Sequence, residues 1–110
     1  MTGDRSDKMI LTSAEKENLK EEIRRKLSSQ KEVKKIIVFG SFLESKTPHD
    51  IDVAIFQDSD ESYLNLAMKY RKITREISKT IPLDIIPVRK DVSDSSFLQE
   101  IEEGELIYER

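Results

Sequence analysis

The apolar run Ile36-Ile37-Val38-Phe39, closed by Gly40-Ser41, constrains this chain more than any other feature. An unbroken run of large and β-branched residues reads as a strand covered on both faces. The glycine that follows marks a place where backbone can approach a ligand closely. Two more apolar runs, residues 51–56 and 83–88, have the same character. Helical patterns separate them, so the fold class expected is a small α/β sheet with helices packed on it.

Those helical patterns carry their own signals. Thr12-Ser13-Ala14-Glu15 matches a capping box, and Leu19, Ile23 and Leu27 recur every four residues on one stripe. This helix is expected to end near residues 28–30, with the first strand over 34–39. Residues 41–45 read as a short helix or turn, 46–49 as a loop, and 51–56 as the second strand. Asp58-Ser59-Asp60 offers caps for a long helix over 61–79, with Tyr63, Leu66, Ala67, Tyr70, Ile73 and Ile77 on its buried face. Leu64 and Met68 lie off that stripe beside Arg71 and Arg75, which fits either a partner contact or ordinary scattered surface residues. Pro82 and Pro87 flank and interrupt the third strand and point to an edge position. Ser93-Asp94-Ser95-Ser96 opens another helix with Phe97, Leu98 and Ile101 on its apolar side. Gly104 ends it, and Leu106-Ile107-Tyr108 forms a last short strand.

With 110 residues the expectation is one domain spanning residues 1–110, with residues 1–9 as a flexible tail. Cysteine is absent, so disulfides and thiolate metal sites are excluded. No run approaches the roughly 20 apolar residues of a membrane span, and the polar start lacks a signal-like apolar stretch, so a cytoplasmic location without membrane contact is expected. A net charge of -3 argues against general nucleic-acid binding. Arg24, Arg25, Lys26, Lys31, Lys34 and Lys35 do cluster before the first strand. Glu21, Glu22 and Glu32 are interspersed among them, as on a solvated face.

The chemistry lies in the acids. In a strand through 50–56, Asp50 and Asp52 project to one side, two like charges on an otherwise apolar segment. A cation between them removes the repulsion and the lost solvation. Asp84, in Leu83-Asp84-Ile85-Ile86, would join them if the second and third strands are neighbours. Three carboxylates form an oxygen set of the kind Mg2+ takes. Alternatives remain: one acid capping a turn with the other paired to a lysine, Asp84 at a solvated edge, and Ser41 as a plain N-cap. His49, the sole histidine, sits in the loop beside Asp50 and is assigned no role.

Strand, Gly-Ser, a short connection, Asp-x-Asp on a second strand and a lone Asp on a third together resemble the minimal nucleotidyltransferases of the DNA polymerase beta superfamily. The likeness covers roughly residues 34–108. It implies the α+β nucleotidyltransferase fold, a small mixed β-sheet with helices on it. It also implies two Mg2+ ions, ATP as donor, and transfer of AMP to a hydroxyl. By resemblance Gly40 and Ser41 contact the outer phosphates, assisted by N–H groups of the following helix. Asp50 and Asp52 hold both metals, and Asp84 holds the catalytic one. Members of this kind often accompany a HEPN-type helical protein, which implies an antitoxin role with that partner as acceptor; self-association is compatible with it. Many members continue Gly-Ser-Arg-Ala-Arg-Gly, whereas this chain reads Gly40-Ser41-Phe42-Leu43-Glu44-Ser45, without those arginines. Two other classes stay open: a non-catalytic module that neutralises a partner by binding, and a transferase for small molecules.

Overall fold

The structure, a computed structural model, describes residues 10–89 and 95–110. Its elements in chain order are α1 (Ser13–Leu27), β1 (Val33–Phe39), a single 3-10 turn (Gly40–Leu43), β2 (Ile51–Gln57), α2 (Tyr63–Ile73), α3 (Arg75–Ser78), β3 (Leu83–Arg89), α4 (Ser95–Glu102) and β4 (Glu105–Glu109). The four strands form one mixed sheet in the order β3-β2-β1-β4. β1 runs antiparallel to both β2 and β4, while β2 and β3 are parallel. A parallel neighbour requires a crossover connection, and α2 and α3 supply it. The proline-bearing β3 is an edge strand, as Pro82 and Pro87 suggested.

The sheet's two faces are unlike. Val33, Ile36, Val38, Ile51, Val53, Ile55 and Ile85 point to one side and pack with Leu19, Ile23 and Leu27 of α1, Leu66 and Tyr70 of α2, and Ile77 of α3. The opposite side carries Ile37, Phe39, Ala54, Phe56 and Val88, covered by Ile101 and Leu98 of the short α4. The central strands are therefore apolar on both faces, which is why their sequences read as continuous runs.

α1 begins as its sequence indicates. Thr12 Oγ1 accepts from Glu15 N at 3.1 Å, and Thr12 N donates to Glu15 Oε1 at 2.8 Å. The helix expected over 61–79 is two helices. Thr74 is buried, its hydroxyl donates to the Tyr70 carbonyl at 2.8 Å, and its backbone leaves the helical region at φ -100° and ψ 16°. Such back-bonding competes with the helix's own hydrogen bonds and bends it. The cap is also later than expected. Ser62 caps α2 by accepting from Asn65 N at 3.2 Å, while Ser59 N donates to Gln57 Oε1 in the turn before it. Tyr63 thus falls in the first turn and is 58% exposed rather than core. Leu64 and Met68 are exposed, as their offset from the stripe implied. The expected tail over 1–9 and the caps at Ser93 and Asp94 lie outside the described residues.

Candidate active site

The loop after β1 determines where the acids stand. Gly40 adopts φ +85°, in the left-handed region that an L side chain rarely occupies. The following 3-10 turn is closed by hydrogen bonds from Glu44 N and Ser45 N to the Ser41 carbonyl. Its side chain Phe42 is fully buried, and Lys16 of α1 lies over the ring while donating to the Ser45 carbonyl at 2.6 Å. Leu11 N binds the Lys46 carbonyl at 2.9 Å, and Pro48 is buried. A loop anchored at these points delivers Asp50 to the start of β2. There Ile51 N donates to the Pro82 carbonyl at 2.9 Å, extending the pairing with the third strand by one link.

Asp52 is register partner to Phe39 on one side and to Asp84 on the other. Side chains at paired positions share a face, so the two carboxylates stand side by side on the face that carries Phe39, Ala54 and Phe56. Asp50 precedes β2 directly, and the strand's alternation continued by one residue places it on that side as well. Asp50 and Asp52 are half-buried, and Asp84 is exposed. A Cβ built on Gly40 would lie 2.3 Å from Asp52 Oδ2. The glycine therefore serves two ends: it permits the turn, and it leaves room for the Asp52 carboxylate against the backbone.

These oxygen donors match a hard divalent cation, and the glycine cradle keeps one of them beside the Gly-Ser step. Among the described residues, however, no group of three or more His, Cys, Asp or Glu side chains is gathered tightly enough to hold a metal ion. Sequence and register bring the acids to one end of one face, short of a closed ligand cage.

Gly40 and Ser41 border a cavity of about 230 Å3, completed by Leu43, Glu44 and Glu103. Neither glutamate stood out in the sequence. They come from two distant turns, and no spacing rule links them. Gly104 explains the second turn, since a Cβ there would meet the Val38 carbonyl at 2.5 Å and Phe39 Cβ at 2.7 Å. The α4–β4 turn thus lies directly against the end of β1. The segment behind Ser41, read from the sequence as a short helix or turn, is one 3-10 turn, so the backbone N–H groups there stand without the macrodipole of a long helix.

The basic cluster is elsewhere. Lys35 pairs with Phe56, four residues along β1 from Phe39, about 13 Å at the usual strand rise. Lys35 Nζ lies 4.8 Å from the centre of the Phe56 ring, and Lys34 meets Asp58 at 3.5 Å. Lys34, Lys35 and Phe56, with Ile37, Leu98, Ile101, Arg110 and the acids Glu102 and Glu109, border a separate cavity of about 420 Å3 at the far end of the same face. His49 is exposed.

No helix among the described residues is long and apolar enough to cross a membrane. A search of curated proteins found no match. Among solved structures, the chain is similar to one in the crystal structure of the toxin-antitoxin MntA-HepT, with 16% identity and a TM-score of 0.56 over 86% of this chain and 73% of that one. At such identity the likeness speaks for the fold. The family model for the polymerase beta nucleotidyltransferases matches residues 21–110, a span that takes in the four strands of the sheet. This chain belongs to the polymerase beta nucleotidyltransferase family.

Proposed function

We propose that this protein transfers a nucleoside monophosphate, AMP from ATP, to a hydroxyl group on a HEPN-type helical partner and acts as that partner's antitoxin. The observation that carries the reading is the parallel register of Asp52 with Asp84, beside a glycine that makes room for the Asp52 carboxylate. The partner is argued from the structural similarity to a chain of a toxin-antitoxin structure.

In the reaction the acceptor oxygen attacks the α-phosphorus, the bond to the β-phosphate oxygen breaks, and pyrophosphate leaves. Gly40 and Ser41 orient the phosphate chain. Asp84, the most exposed of the three acids, takes the proton from the acceptor hydroxyl. Asp50 and Asp52 would hold two Mg2+ ions and Asp84 one of them, the chemistry supplied being neutralisation of charge at the transferred phosphate.

A second reading, a binding module that silences its partner without turnover, is favoured by the two glutamates in the cavity beside Gly40. Pyrophosphate release from ATP, measured with Mg2+ and the co-expressed partner, separates the two. The transfer reading expects release that Asp50→Asn and Asp52→Asn each abolish with unchanged unfolding curves. Release that survives in either variant sinks it.

A further inference from the structure

α2 turns Leu66, Ala67 and Tyr70 inward, so its opposite side has no share in the core. There Leu64, Met68, Arg71 and Arg75 follow at spacings of four, three and four, which sets them in one row along α2 and into α3. The buried positions keep their phase across the bend, Tyr70 and Thr74 before Ile77, so the outer row keeps it too. All four residues are exposed, and exposed Lys72 flanks the cationic half. Among the described residues, Arg71, Lys72 and Arg75 enter no ion pair, while the neighbouring acids are taken: Glu32 by Lys69 and Glu76 by Lys79. The row therefore has an apolar half and a cationic half, and the fold compensates neither.

Charge decides what can cover it. In a symmetric pair of copies, antiparallel α2 helices set Leu64 across from Arg75 and Met68 across from Arg71, and parallel ones set Arg71 against Arg71. The first arrangement desolvates cations against apolar side chains, and the second adds like-charge repulsion. An anionic lipid surface suits the cations but meets Asp58, Asp60 and Glu61 directly before α2. A helix with apolar side chains along one half and carboxylates along the other matches the whole row. We propose that this row docks a helix of the partner protein, its apolar side chains over Leu64 and Met68 and its acids over Arg71 and Arg75. The inference rests on the reading that the protein works with a helical partner, and it names the surface that holds it. Since α2 lies on the sheet face opposite Asp52 and Asp84, the docked helix leaves those acids uncovered.

The test is calorimetric titration of the helical partner into the full chain, at low and at high salt. Wild type should bind, and less tightly as salt rises. Arg71→Glu with Arg75→Glu should weaken binding at least about tenfold at low salt, and Leu64→Ser with Met68→Ser by a similar factor at either salt. Both double variants should unfold as wild type does, because the substituted side chains are exposed. In the pyrophosphate assay each should raise the KM for the partner and leave kcat unchanged, a split that a structural defect would not produce. If wild type and both variants bind the partner equally, the inference is overturned and the transfer reading stands on its own assay. If wild type forms no complex, the docking surface and the partner fall together. A wild-type dimer that Leu64→Ser with Met68→Ser splits would overturn the proposal in favour of a second copy. Sedimentation with phosphatidylglycerol vesicles, lost in the arginine variant while the partner complex persists, would overturn it in favour of a lipid surface.

Discussion

Gly40 is where the fold and the proposed chemistry meet. Its left-handed φ costs a side-chain-bearing residue about 1–2 kcal/mol, and an added methyl would meet Asp52 Oδ2. That oxygen ends a short, rotatable side chain, so the collision is relieved by turning the carboxylate away. Gly40→Ala should therefore cost about 1–2 kcal/mol in urea unfolding and reduce pyrophosphate release by much more than that loss implies. A variant with wild-type stability and wild-type release would show that the glycine has neither duty. Asp50, Asp52 and Asp84 were legible as candidates because an acid on an apolar strand is conspicuous in one dimension. Glu44 and Glu103, which border the cavity at Gly40, were not. In a chain that is 37% charged, a surface glutamate carries no signal until the fold joins its turn to another.

At the scale of elements, Glu32 ties the entrance of β1 to α2. Its Oε2 accepts from Lys69 Nζ at 2.9 Å and from Tyr70 OH at 2.8 Å. Burial opposes the charged carboxyl, but the hydrogen bonds from Lys69 and Tyr70 outweigh it and hold Glu32 below its ordinary value. Burial, with the same contact to Glu32, pushes the Tyr70 hydroxyl up and keeps it a donor. A carboxyl depressed in the folded state stabilises above its unfolded pKa, about 4.3, and that share is lost as pH falls through the folded value. The stability gap between wild type and Glu32→Gln should accordingly be widest near neutrality and close below about pH 4. A gap that is flat across that range in urea titrations would contradict the assignment. Tyr70→Phe, which removes one donor and leaves Lys69 in place, should cost about 1 kcal/mol. The first helix, the strands and the edge position of β3 followed from caps, apolar runs and prolines. The break at Thr74 did not. A threonine is compatible with a helix interior, and its back-bond to Tyr70 matters here because the residue is fully buried.

For the molecule as a whole, the strand order decides which surfaces are available. α1, α2 and α3 cover one face, and the acids stand on the other, the face that α4 packs against. Leu64 and Met68 of α2 are 63% and 59% exposed, on the covered side of the sheet and away from the acids. Replacing both with serine should change unfolding free energy by less than about 0.5 kcal/mol each, as for surface positions generally. A larger loss would mean that they are packed in solution. The sheet order itself could not be read from the sequence, since apolar runs announce strands without announcing neighbours. The parallel pairing of β2 with β3 is what turns three separate aspartates into one candidate site. The most direct test of that site is the intact mass of the co-expressed HEPN-type partner after incubation with this protein, ATP and Mg2+, with Asp52→Asn alongside. The account predicts a gain of one or more adenylyl units that the variant abolishes. An unchanged partner mass beside a stable complex on a sizing column would contradict transfer and leave a protein that acts by binding alone.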